Sequence, residues 1–298
     1  MLTPHQIQQY ADDGYVMVPD VLDPATLAKL RAVTDEVVES ARGLTDHTDA
    51  LDLETSHTPD NPRVRRIKRP HLVHDFYLQL ARYEPIMDAL TPLLGPDIRL
   101  HGGGKVNMKS AGYGAAVEWH QDWAFYPHTN QDVLAVGVLL DDMTADNGPL
   151  LMLPGSHKGD VYDHHADGAF CGAINTATSE LDVSNAREVY ASAGSITIHH
   201  ARLVHGSSMN RSNTQRRILF FEFTAADAWP LLGVRDLDEF NGRMVHGEPT
   251  LQPRMENVPV RMPLPIAVHQ GSIYENQRTL EKRYFETYGA EAEKTAAS

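Results

Sequence analysis

With 298 residues, 42% of them hydrophobic and 22% charged, the chain has the makeup of a globular protein large enough to bury a sizeable core. Its 40 acidic residues against 26 basic ones leave a formal net charge of −14, a field that disfavours nucleic acid and anionic membrane as partners. The one cysteine, Cys171, excludes an intramolecular disulfide and a thiolate zinc cluster.

The first residues show neither the basic nor the apolar region of a secretion signal, and no run approaches the roughly 18 apolar residues of a membrane helix. A soluble, cytoplasmic protein is expected. Thr3 followed by Pro4 is an N-cap with proline in the first turn, and it opens a short helix that Gly14 stops. Tyr15 to Val18 then reads as a strand, and Asp23-Pro24 opens a second helix with Leu27, Leu30, Val33 and Val37 at helical spacing. Residues 43–61 are polar and aperiodic, which predicts a loop long enough to serve as a lid. Arg63, Arg65, Arg66, Lys68 and Arg69 follow with no acidic residue among them. They suit either a rim for an anionic substrate, with Arg66 in the pocket, or a solvated face. Helical spacing returns over 77–94 and ends at Gly95-Pro96.

From residue 98 the pattern changes to short apolar or alternating runs separated by Gly, Asn, Asp and Pro: 99–108, 119–123, 133–140, 150–153, 195–199 and 218–223. Such spacing predicts an antiparallel sandwich or barrel. Asn147-Gly148 reads as a hairpin turn, and 162–187 is irregular enough to cover a barrel mouth. Five prolines between 249 and 265 disfavour helix, and a last helix is expected over 274–288. No repeat is present. The expected organisation is one domain: helices, strand and lid loop over 1–97, a β core over 98–224 and an extension over 225–298.

The chemistry centres on Glu118-Trp119-His120-Gln121-Asp122. On a strand, positions i and i+2 share a face, so His120 and Asp122 project together, Gln121 points away, and Trp119 and Trp123 pack around them. A second imidazole would complete the two-histidine, one-carboxylate set of non-haem Fe(II) oxygenases. The stretch 194–223 offers His199, His200 and His205. The first two are adjacent, so only one can face inward, and both are taken as structural. His205 precedes a polar loop and then Arg216-Arg217 on what reads as the partner strand of a hairpin. An arginine there has a use: its planar fork grips the far carboxylate of a dicarboxylate cosubstrate such as 2-oxoglutarate and stays charged when buried. Arg211, Arg216 and Arg217 are all candidates. Phe125 and Tyr126 follow the strand and suit a substrate pocket, His157 reads as a turn or surface residue, Asp141 and Asp142 as turn residues, and 220–223 as barrel core.

Across residues 3–223 these features resemble the phytanoyl-CoA dioxygenase family of Fe(II)/2-oxoglutarate oxygenases. The matching motifs are the opening helix and strand, His120-Gln121-Asp122, Phe125-Tyr126-Pro127 and Leu140-Asp141-Asp142. Asn147-Gly148-Pro149-Leu150, Pro154 to Gly159 and His205-Gly206-Ser207-Ser208 continue the match. The resemblance implies a mainly β fold with flanking helices, the double-stranded β-helix or jelly-roll of cupin-like barrels. It implies iron ligands His120, Asp122 and His205. The arginine eleven positions after the distal histidine, Arg216, would anchor 2-oxoglutarate with help from Ser207, and Lys105 or Met108 on the preceding strand would touch it. The implied cofactors are Fe(II), 2-oxoglutarate and O2. The implied reaction hydroxylates an unactivated C–H of a small-molecule metabolite and releases succinate and CO2. Desaturation, epimerisation and endoperoxide formation use the same ligands, whereas an aspartate at position 122 argues against halogenation. A cupin-like barrel that binds metal without oxygen chemistry is the alternative, and it leaves Arg216 unexplained. Oligomeric state stays open.

Overall fold

The computed structural model describes residues 1–175, 178–266, 273–280 and 283–285. Six α-helices occur among these residues: α1 (Pro4–Asp13), α2 (Pro24–Glu39), α3 (Asp75–Ala81), α4 (Glu84–Leu94), α5 (Leu237–Gly242) and α6 (Ile273–Asn276). The first seven strands are β1 (Tyr15–Val18), β2 (Leu51–Leu53), β3 (Val64–Lys68), β4 (Ile98–Lys109), β5 (Val117–His120), β6 (Val133–Leu139) and β7 (Leu150–Met152). The rest are β8 (His165–Ala166), β9 (Ala169–Phe170), β10 (Arg187–Val189), β11 (Ile196–His200), β12 (His205–Ser207), β13 (Arg216–Ala225) and β14 (Met244–His246).

A large antiparallel sheet runs β1-β11-β6-β13-β4-β3-β2, with β14 also on β4, and a smaller one runs β10-β7-β12-β5. Strand alternation divides the large sheet between two environments. Val136, Val138, Leu219, Phe221 and Phe223 pack outward with Leu30, Val33 and Val37 of α2, Leu80 of α3, and Ile86 and Leu90 of α4. Leu139, Ile218 and Phe220 face the opposite way, with Leu150 and Met152 of the small sheet. Because both faces are covered, β6 is apolar along its whole length instead of alternating.

The ends of the elements follow local chemistry. The Thr3 hydroxyl accepts from Gln6 N–H at 3.2 Å while the Gln6 side chain accepts from Thr3 N–H at 2.9 Å, a reciprocal cap. Gly14 closes α1 at φ +81°, and a Cβ there would sit 2.4 Å from His157 Nδ1. Gly14→Ala therefore combines a left-handed backbone with overpacking, each costing about 1–2 kcal/mol or more. Its thermal midpoint should fall by several degrees with the iron site intact, as calorimetry would show.

Several sequence expectations change. The 43–61 loop contains β2, which pairs β3 and extends the large sheet. The helix expected over 77–94 is two helices, because Pro85 sits in the first turn of α4 and Tyr83 before it is extended (ψ 123°). Asn147-Gly148 joins β6 of the large sheet to β7 of the small one and is no hairpin. Likewise β12 and β13 do not pair; they lie in different sheets. His157 is buried, stacked 5.2 Å from His200, and is not a surface residue. The 220–223 run is split: Phe221 and Phe223 are core, while Phe220 and Glu222 line the central cavity. Of the helix expected over 274–288, the structure has α6 and a 3-10 turn at Gln277–Thr279; residues 281–282 and 286–288 lie outside the described residues.

Candidate metal and cosubstrate site

β5 and β12 are neighbours, and their register sets His120 directly across from His205. The two rings are 4.1 Å apart between centroids. Asp122 lies just past the end of β5 in a 3-10 turn, but Gln121 is still extended (φ −121°, ψ 126°), so the alternation carries through and Asp122 projects on the His120 side. One ligand atom from each of His120, Asp122 and His205 lies within 4.8 Å of the others, and all three residues are buried. Gln121 is fully buried on the other side, where its amide donates to the carbonyls of Asp160 and Arg202 and accepts from Tyr162 N–H.

The ring tautomers follow from these contacts. His120 Nδ1 lies 2.8 Å from Glu118 O and His205 Nδ1 lies 3.0 Å from Leu203 O. A carbonyl only accepts, so both Nδ1 atoms carry the hydrogen and both Nε2 lone pairs remain free. Burial holds His120 down to about pKa 4 and His205 well below its ordinary value, so both rings are neutral at pH 7 and able to ligate a metal. Burial alone would raise Asp122, but the His199 hydrogen bond and the nearby His205 hold it well below the usual carboxylate range. His199 Nε2 lies 3.3 Å from Asp122 Oδ2 and leaves Oδ1 turned toward His120 at 3.8 Å. Two neutral imidazoles and one oriented carboxylate form a donor set that suits a divalent iron.

A cavity of about 310 Å³ opens on this set. Arg216 and Ser207 line it, and both were expected there. Arg216 is 1% exposed, and its guanidinium donates twice to Gly148 O, at 3.1 and 2.6 Å. Arg217, one residue on, faces the helices instead and is held by Asp141 (2.8 and 2.9 Å) and by Asp35 of α2 (2.5 Å). Asp141 is thus an anchor rather than only a turn residue. Arg211 is exposed in the loop. Lys109 is also fully buried; its ammonium donates to Ser207 Oγ at 2.8 Å and to Ser208 O. Among the described residues neither Arg216 nor Lys109 has a carboxylate in contact, so two buried basic side chains stand side by side on neutral acceptors, and burial beside Arg216 pushes Lys109 well below its ordinary pKa. Desolvation of that kind is costly unless an anion offsets it.

Lys105 lines the cavity and pairs with Glu222 at 3.0 Å. Met108 does not; it is 5% exposed in the helix-facing core. The strand explains both, since 105, 107 and 109 share one face of β4 and 106 and 108 the other. Arg66, Phe125 and Tyr126 all line the cavity. Of the remaining basic cluster, Lys68 is tied to Asp52 at 2.9 Å and Arg63 stacks on Tyr113. Phe125 meets Phe170 edge-on at 5.0 Å, so Phe170 of the irregular stretch backs the cavity wall. Sequence reasoning missed Lys109, Asn107 and His199. Period-2 alternation along β4 could have found the first two; nothing local distinguishes His199 from His200.

The sequence profile of the Phytanoyl-CoA dioxygenase (PhyH) family matches residues 10–218, more than half of the chain. The chain belongs to this family. A probable alpha-ketoglutarate-dependent hypophosphite dioxygenase of Stutzerimonas stutzeri is 38% identical over 284 residues, covering 94% of this chain and 99% of that protein. An L-proline trans-4-hydroxylase of Streptomyces griseoviridis is 27% identical over 76% of this chain and 88% of its own length. The crystal structure of EctD from S. alaskensis with bound Fe shares the fold, with a TM-score of 0.64 at 21% identity, covering 88% of this chain and 89% of that one. The two facing sheets are accordingly the jelly-roll of cupin-like oxygenases, and this PhyH protein is a non-haem iron, 2-oxoglutarate-dependent dioxygenase. Its relatives act on small molecules. No helix among the described residues is long and apolar enough to cross a membrane.

Proposed function

We propose that His120, Asp122 and His205 hold the iron, that Arg216 and Ser207 receive the far carboxylate of 2-oxoglutarate with Lys109 behind them, and that the substrate is a small phosphorus oxyanion. The observation that carries the substrate is Arg66. Its Nε is buried in the cavity wall with no hydrogen-bond partner, and no carboxylate pairs it among the described residues. Arg66 on β3 is registered directly against Asn107 on β4, whose Oδ1 is also unpartnered, with Lys105 next on the same face. A cation with an unused donor beside a metal site is costly when empty and is offset by an anionic ligand. The hypophosphite dioxygenase relative supports the same chemistry.

Iron, when bound, supplies the activation of O2; one oxygen atom ends in the hydroxylated product and the other in succinate, with CO2 released. The chain's part is to bind and orient. Arg66 and Lys105 would fix the anion so that its C–H or P–H bond faces the metal, and Phe125, Tyr126 and Phe220 exclude water around it. Succinate release, measured with Fe(II) and 2-oxoglutarate, should rise with hypophosphite or short alkylphosphonates and stay at baseline with L-proline or ectoine. Arg66→Ala should raise KM for the phosphorus substrate about 30-fold or more, at an unchanged 2-oxoglutarate requirement. Equal stimulation by proline or ectoine, or an Arg66→Ala enzyme with unaltered KM, overturns the substrate assignment.

A further inference from the structure

The match to the family ends at residue 218, yet the cavity is completed from beyond it. Ile273 and Tyr274 of α6 line the same space as His120, Asp122, Arg66 and Arg216. Tyr274 is 4% exposed and lies under the Arg65 guanidinium, 5.1 Å from its ring centre, which fixes the plane of the ring. The ring is buried, but its hydroxyl is not one of the polar atoms sealed off without a partner; Tyr274 lines the cavity, where a ligand can meet its O–H.

Around it the segment is firmly tied. β5 is the edge strand of the small sheet, and an edge leaves backbone groups unpaired. The Gln277 side chain covers that edge: its Oε1 accepts from Glu118 N–H at 3.1 Å and its Nε2 donates to Ala116 O at 3.1 Å. The buried Glu118 carboxylate then accepts the N–H groups of Tyr284 and Phe285, each at 3.0 Å. Their rings pack on Trp119 at 5.7 and 5.8 Å between centroids. The strand that carries His120 is therefore also the anchor of the segment that carries Tyr274.

We propose that Tyr274 is a cosubstrate-binding residue: its hydroxyl donates to the far carboxylate of 2-oxoglutarate, the same group that Arg216 grips. The inference rests on the proposed anchoring of 2-oxoglutarate by Arg216. Three cations, Arg216, Arg65 and Arg66, bear on the phenol, and burial raises its pKa, so the O–H is present as a donor at neutral pH. A phenol oxygen can accept from a guanidinium but brings no negative charge to offset it; an anion between the two accepts from both.

The test is calorimetric titration of 2-oxoglutarate into the full-length protein loaded with Mn(II), which needs no turnover. Tyr274→Phe should bind 2-oxoglutarate about 10-fold more weakly, as expected for a lost hydrogen bond to a charged group, with Mn(II) affinity unchanged. It should bind 2-oxopentanoate, which lacks the far carboxylate, as the wild type does. Equal weakening for both ligands means that Tyr274 only shapes the pocket, and overturns the proposal. So does unchanged 2-oxoglutarate binding by Tyr274→Phe while Arg216→Met is strongly impaired. If the wild type shows no metal-dependent 2-oxoglutarate binding, or Arg216→Met equals it, the anchoring by Arg216 falls and the proposal with it.

Discussion

Asp122→Ala should leave a folded chain that no longer retains iron and releases no succinate. The reason lies in the donor count. His120 and His205 face each other across paired strands and would remain as two neutral ligands, but the one formal negative charge of the set would be gone. Losing an outer partner of a metal ligand typically costs about 10- to 100-fold in affinity, and losing a ligand must exceed that. His199→Leu supplies the comparison, because His199 touches Asp122 Oδ2 at 3.3 Å. It should fall within that range, with iron retained at saturating concentration. Iron content after dialysis, read by metal analysis beside circular dichroism, distinguishes the two variants. If Asp122→Ala keeps stoichiometric iron, the metal site is not at these residues.

The second large effect separates neighbours. Arg216→Met should weaken 2-oxoglutarate binding by about 100-fold or more, since removing one partner of a desolvated charge pair costs about 2–5 kcal/mol. Its thermal stability should hold or rise. Arg216 is buried against neutral acceptors only, and burial pushes it down to about pKa 10, so replacing it with an apolar chain of similar length relieves a desolvation cost. Arg217→Met should do the reverse. It breaks the bidentate contact to Asp141 and the bridge to Asp35 of α2, at a cost of about 3 kcal/mol, while 2-oxoglutarate binds as before. Thermal melting paired with 2-oxoglutarate titration reads both variants, and an exchange of phenotypes would mean that the assignment is off by one residue along β13.

That one-residue question shows how the two levels of information divide. Strand alternation makes adjacent arginines point to opposite faces, so the sequence could state that only one of Arg216 and Arg217 faces the cavity. A spacing borrowed from a family chose which one, and the Arg217–Asp141–Asp35 contacts explain why the other cannot serve. The same alternation was available along β4, where it favours Lys105, Asn107 and Lys109 over Met108. The sequence expectation kept Met108 because the strand's register was open.

What the sequence by itself determined was local or periodic. It determined the capped first helix, the antiparallel β character after residue 98, the pairing of His120 with Asp122 two positions apart, and the candidate status of His205. Each rests on interactions within a few residues or on a period of two. What only the tertiary structure decided was long-range. The passage through Asn147-Gly148 crosses between sheets, so Gly148 O can receive Arg216. His199 rather than His200 reaches Asp122 because β11 is paired on both edges, which fixes the face each residue takes. Tyr274 enters a cavity lined mainly by residues between Arg66 and Glu222, fifty or more positions earlier, held there by Gln277 and Glu118. No local period encodes such contacts; they exist only once the sheets have closed around His120, Asp122 and His205.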